Sequence, residues 1–260
     1  MRSTLYSIHS MGQSGDTFVA ARIESRDVDI TGVIRERDPE QIRAHRRMLA
    51  RILNPQLSAT LTYAYGSFVR VIDCRSVNAP EITKSKKDVY YHFSVQLVCL
   101  NPFWREATET RSDIAAWVGL FEFPAEIPGI ELGGMEFGYR MPSLIVNVSN
   151  GGDVETGMRA VFSALDAVSH PSLINMTTGE MISLNIDLVE GDLLTVSTGY
   201  GQKNAILRRN GEDHNALQYV DISSTFIQLQ PGDNMLRYDA DQGISNLEVS
   251  LFHSNLYLGV

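Results

Sequence analysis

The chain has 260 residues, of which 43% are hydrophobic and 20% charged, with a formal net charge of −9. Those values suit a folded protein with a real core and exclude an intrinsically disordered chain, while the acidic balance argues against a surface that grips a phosphate backbone as a whole. Cys74 and Cys99 are too few for a disulfide scaffold or a cysteine zinc site, and both fall in apolar alternating runs that predict buried, reduced thiols.

From the N-terminus, "MRSTLYSIHSMGQSGD" lacks the apolar run of a signal peptide, and no stretch reaches the roughly 20 consecutive apolar residues of a membrane span. Synthesis and first folding in a cytoplasm are expected, without membrane insertion. "DPEQIRAHRRMLARILNP" then predicts a helix: Asp38 caps it, Pro39 suits the first turn, Gln41 has capping-box spacing and Asn54-Pro55 ends it. Ile42, Leu49, Ile52 and Leu53 share one face, and Arg43, Arg47 and Arg51 line another. That basic stripe reads either as a solvated face or as a contact surface for an acidic neighbour or for passing DNA.

Almost everything else reads as strand. "SATLTYAYGSFVRVIDC" holds two β-rich runs around Gly66-Ser67, a tight-turn pair. "DVYYHFSVQLVCLNPFW" alternates strictly, with Val89, Tyr91, Phe93, Val95, Leu97 and Cys99 on one face. Between Phe121 and Pro142 the prolines, glycines and glutamates lose all period, which places a domain connection there and divides the chain into residues 1–137 and 138–260. Strand-sized runs then recur at roughly ten-residue spacing, the pattern of an antiparallel sandwich or jelly roll. In "LEVSLFHSNLYL", Leu247, Val249 and Leu251 face one way and Glu248 and Ser250 the other. "VETGMRAVFSALDAVS" allows a short helix. The fold class expected from the residues is mainly β, in two domains, with one helix and a hairpin in the first and a sandwich or jelly roll in the second.

Searches for chemistry end in turns. "DADQG" starts like an EF-hand calcium loop, but its glycine, Gly243, is fifth instead of sixth, and Ser250 stands where the closing acid belongs. "TGYGQKN" resembles a phosphate loop, yet "AILRRNG" after it reads as strand and turn, with no helix to hold a pyrophosphate. His9, His45, His92, His170, His214 and His253 show no paired ligand spacing. Glu122, Glu126, Glu131 and Glu136 are the densest acidic group, but they lie in the connector. No metal, cofactor or catalytic residue is expected, and the chain does not read as an enzyme.

Several segments in order resemble the distal tail (Dit) proteins of long-tailed, non-contractile phages. These are "RDVDITGVI" ahead of the helix and "ILNP", then the hairpin, "LVCLNPFWRE", "INMTTGEMISLNIDLVEGDLLTVST", "LRRNG" and "FIQLQPGDNMLRY". Each is turn chemistry plus alternation; their order across Arg26 to the C-terminus carries the resemblance. It implies a structural virion protein of two β-sandwich domains, whose N-terminal sandwich (1–137), with one helix and a hairpin, forms a homo-hexameric ring at the lower end of the tail tube. The C-terminal domain (138–260) would be a galectin-like β-sandwich projecting outward. The implied partners are the tail tube protein, the tail-tip hub or tail-associated lysin, and receptor-binding proteins, with DNA only passing through the lumen. Arg43, Arg47 and Arg51 are the candidate subunit contacts. The alternative is a carbohydrate-binding module touching the host cell wall; Trp104 and Trp117 lie outside the C-terminal half, leaving Tyr200, Tyr219, Tyr238 and Tyr257 as sugar platforms.

Overall fold

The computed structural model describes residues 2–36, 38–84, 90–114, 116–119, 138–141 and 145–260, with 116–119 and 138–141 described by their backbone alone. The chain divides into two compact units, Met1–Ala107 with Tyr257–Val260, and Thr108–Leu256.

The second unit is a β-sandwich. One sheet orders Ile145–Asn150, Gly232–Asp239, Ser172–Asn175 and Met181–Ser183; the other orders Glu212–Asn215, Asn204–Arg209, Leu193–Ser197, Thr156–Ala164, Leu247–His253 and Thr110–Asp113. Alternation decides which side chains enter: Leu247, Val249 and Leu251 are buried while Glu248 and Ser250 are not. Phe162, Leu173, Ile182, Leu194, Leu236 and Tyr238 form the centre of the core, all fully buried. The short helix allowed within "VETGMRAVFSALDAVS" is instead the strand Thr156–Ala164, flanked on both sides in its sheet. Met158, Ala160, Phe162 and Ala164 all point inward, a period of two that the helix-favouring alanines disguise.

Turn chemistry closes the hairpins as the sequence implies. Asn210 and Gly211 both take positive φ (54° and 82°) between Asn204–Arg209 and Glu212–Asn215, the demand of a tight two-residue hairpin. Residues 198–203, the would-be phosphate loop, join Leu193–Ser197 to Asn204–Arg209. In "DADQG", Asp239 bonds Arg237 at 3.3 Å and Asp241 bonds His170 at 2.8 Å, while Gly243 turns the chain into the 3-10 segment Ile244–Asn246.

The first unit has a smaller core: Ile72, Cys74, Val95, Leu97, Cys99 and Trp104, with Val28, Ile30, Leu53, Leu61 and Tyr257 packed on it. Its strand Arg26–Arg35 runs antiparallel to Tyr90–Cys99 throughout. Tyr91, Phe93, Val95, Leu97 and Cys99 face inward as their alternation requires, while Val89 lies outside the described residues. Ala59–Tyr65 and Phe68–Ser76 form the expected hairpin, with Gly66 at a positive φ of 60°. The C-terminus returns to this unit, where Tyr257 donates its hydroxyl to Glu106 (2.8 Å) and Arg26 donates to the Leu258 carbonyl (2.6 Å).

The units divide at 107/108, ahead of the 137/138 division expected from the sequence. Thr110–Asp113 pairs with Leu247–His253, and Ile114 is buried in the second core, so both sit with the sandwich. Of the connector expected between Phe121 and Pro142, residues 121–137 with the four glutamates, and Pro142, lie outside the described residues, while Gly138–Met141 is a strand paired with Ala116–Gly119.

Candidate functional site

The helix Pro39–Ile52 begins on Asp38, whose carboxylate accepts from the Glu40 N–H at 3.1 Å. It buries only Ile42, with Leu49 and Leu53 partly covered; Met48 and Ile52 stay exposed. The apolar face is therefore half used. Arg43, Arg47 and Arg51 all stand exposed, and Arg43 makes one ion pair, with Glu40 at 2.9 Å. Arg43 and Arg47 come together with Arg46, one residue that the periodicity reading passed over. These three, with Ala50, Pro80 and Ile82, line an open groove of about 660 Å³. Arg51 is not part of its lining.

A second surface lies in a segment for which the sequence offered only the absence of a signal peptide. Ser3–Ile8 and Thr17–Ile23 form a two-stranded hairpin that pairs with no other strand among the described residues. Apolar residues stand exposed on both faces: Leu5 and Phe18, 67% and 64% exposed, share one with Ala21 and Ile23, and Tyr6 and Ile8 stand on the other. A lone hairpin of this size is marginal in water. The signal that would have found it is "SMGQSG", whose Gly12 and Gly15 both take positive φ between two β-rich runs.

The third surface is the edge strand Ala59–Tyr65, which pairs only with Phe68–Ser76 among the described residues. Tyr63, Tyr65 and Phe68 are exposed on this hairpin. Tyr63 meets Phe68 and Trp104 edge-on at 6.4 and 6.5 Å, and the Arg70 guanidinium lies over Phe68 (4.4 Å) and Tyr257 (3.8 Å). Exposed aromatics beside an arginine have the composition of an interface centre.

Polar groups in the sandwich are engaged structurally. Asp192 is buried and held by a fork from Arg209 and by the Val189 N–H. Arg159 pairs with Glu109 at 2.6 Å, and Arg111 with Asp113 at 2.8 Å. Of the four tyrosines weighed as sugar platforms, Tyr238 is in the core and Tyr257 lies under Arg70. Tyr200 is exposed, with its hydroxyl on Glu155 at 3.1 Å, and Tyr219 is half-exposed. Trp104 is buried in the first unit's core.

Residues 151–254 match the family model of the siphovirus-type tail component, C-terminal domain, and residues 1–99 match that of the phage tail protein RIFT-related domain. Among solved structures the chain is similar to the Dit protein of phage SPP1, described as a paradigm of the hub adsorption apparatus in phages infecting Gram-positive hosts. The TM-score is 0.70 at 12% identity, over 99% of this chain and 89% of that one. It is also similar to a chain of the phage P2 baseplate in its activated conformation, in structures with calcium and with strontium. Their TM-scores are 0.55 and 0.54, each at 12% identity over 100% of this chain and 88% of that one. At such identity the likeness speaks to the fold. No curated protein sequence matches at a significant level. The two family matches fall one in each compact unit and together take in most of the sequence: the chain belongs to the siphovirus-type tail components, as a distal tail protein.

Proposed function

We propose that this chain closes into a homo-hexameric ring through its N-terminal unit, at the lower end of the tail tube. The ring joins the tube protein above to the tail-tip hub or tail-associated lysin below, carries receptor-binding proteins at its periphery and lets DNA through its lumen. It assembles in the host cytoplasm and works by interfaces alone, without catalysis. The observation that carries this reading is the unsatisfied N-terminal unit: one chain presents both an unpaired apolar hairpin and a separate open edge strand with exposed aromatics. Two different patches on one subunit suit a heterologous contact, which closes into a ring where the rotation between neighbours completes a full turn. Open edges left uncovered invite uncontrolled pairing, and ring closure removes them.

Charge supports the same arrangement. Arg43, Arg47 and Arg51 stand exposed on the helix, and Asp27 and Asp29 stand exposed on alternate positions of Arg26–Arg35. Pairing of the arginine stripe with the acidic surface of the adjacent subunit would set the register of the ring.

Light scattering and negative-stain electron microscopy of the purified chain test the proposal, and six-fold rings are the expected result. Glutamate at Arg43, Arg47 and Arg51 together is expected to abolish rings with an unchanged far-UV spectrum. Leu5→Glu with Phe18→Glu should do the same through the hairpin. Chains that stay monomeric at high concentration, even with the tube and hub proteins added, would sink the proposal.

A further inference from the structure

Among the described residues, the seam between Phe68–Ser76 and Tyr90–Cys99 is formed by two residue pairs, Arg75 opposite Val98 and Ser76 opposite Leu97, and continues in the Val77 N–H donating to the Gln96 carbonyl at 2.9 Å. One step further along the same antiparallel register, position 74 falls opposite position 99. Both are cysteines, both are buried in the same small core, and both point to its side of the sheet, since Ser76 and Leu97 two residues away are also buried. Directly opposed residues on one face hold their Cβ atoms ~4.5–5.5 Å apart. A disulfide needs roughly 3.5–4.5 Å, with Cα atoms ~4.4–6.8 Å apart, so a small approach of the strand ends suffices.

We propose that Cys74 and Cys99 are a paired modification site that closes into a cross-strand disulfide when the protein meets a peroxide. Cys74 keeps slight exposure while Cys99 has none, which makes Cys74 the sulfur that reacts first. Its thiolate attacks one oxygen of hydrogen peroxide, the O–O bond breaks, and a sulfenic acid and water form. The Cys99 sulfur then attacks the sulfenic sulfur and water leaves. In sum, two thiols and one hydrogen peroxide give one disulfide and two waters, the sulfurs losing the two electrons that the peroxide gains. Burial pushes both thiols up, Cys99 to about 11, so the thiolate is scarce and closure is slow. The free pair therefore persists wherever thiols are kept reduced, and the bridge forms on long exposure to an oxidising exterior.

The bridge staples the open end of the two-pair seam and encloses the strand Glu81–Lys84 in its loop. The test treats the folded full chain with hydrogen peroxide, then alkylates it in denaturant and maps its peptides by mass spectrometry. The expected result is loss of both alkylatable thiols and a Cys74–Cys99 linked peptide that dithiothreitol restores, which separates it from methionine oxidation. The melting temperature of the first unit should rise by on the order of 10 °C. In Cys99→Ala, a dimedone adduct should appear at Cys74 that the parent chain does not accumulate. Two thiols still alkylatable after treatment, sulfinic acid without a bridge, or bridges only between chains would each overturn the proposal. The parent chain decides the matter even if the variant fails to fold.

Discussion

Gly157 lies where a strand passes another backbone with no room between them. A Cβ built there would collide with the Cα and N of Gly199, which are main-chain atoms and cannot swing aside. Gly157→Ala is expected to destabilise the sandwich by about 3 kcal/mol, read as a lower urea midpoint with an unchanged slope. Asp192 acts through charge. Burial alone would raise its carboxyl, but hydrogen bonds from Arg209 and the Val189 N–H, together with the Arg209 charge, hold it below the usual range. Asp221, bonded by Ser223 and Asn185, is lowered to about 2. Since these carboxyls bind protons less tightly folded than unfolded (~3.9), their contribution is complete above the unfolded value and lost as pH falls through the folded ones. The melting temperature of the sandwich should therefore drop steeply between about pH 4 and pH 2. Asp192→Asn should flatten part of that slope and cost about 2 kcal/mol at neutral pH, because the Arg209 charge loses its buried partner while staying partly hydrated. Neither role was legible beforehand: Gly157 and Asp192 become special only when Gly199 and Arg209 arrive from distant sequence.

Elements whose signal is local were legible, and those whose signal is tertiary were not. The helix follows from Asp38, Pro39 and its periodic apolar positions, and its cap is the cheapest part to test. Asp38→Ala leaves the Glu40 N–H without its side-chain acceptor and should cost about 1 kcal/mol in the first unit, measured by denaturant unfolding. Hairpins marked by Gly66-Ser67 and Asn210-Gly211 were legible because only certain residues accept positive φ. Thr156–Ala164 read ambiguously because alanine and methionine favour helices in isolation, and a sheet neighbour on each side overrides that preference. The N-terminal hairpin carries no clean alternation, since Leu5 and Tyr6 are adjacent and residues 18–21 are one apolar run, and all of its strand residues but Ile23 stand exposed. Of the candidate contacts, the stripe Arg43, Arg47 and Arg51 was readable from helical spacing, whereas the hairpin's Leu5 and Phe18 needed coordinates.

At the scale of the whole molecule, two cores of unequal size share one chain. The sandwich buries Phe162, Leu173, Leu194, Leu236 and Tyr238 completely, whereas the first unit's core cluster holds six buried residues among those described, supported by the return of its own C-terminus. Two domains were expected, yet the boundary was placed at 137/138, because "TRSD" is too short and polar to announce itself as the outermost strand of the second sheet. Stability scales with apolar surface removed from water, so the smaller core should unfold first. Subunit association stabilises only the part that forms the contacts, and it does so by mass action. Calorimetry of the full chain is thus expected to show two transitions: a lower one from the first unit that climbs as protein concentration rises, and an upper one from the sandwich that does not move. Glutamate at Arg43, Arg47 and Arg51 should remove the concentration dependence of the lower transition and leave the upper one in place. If the upper transition moves with concentration and the lower one stays fixed, the subunit contacts belong to the sandwich instead, and the assignment of the ring to the N-terminal unit fails.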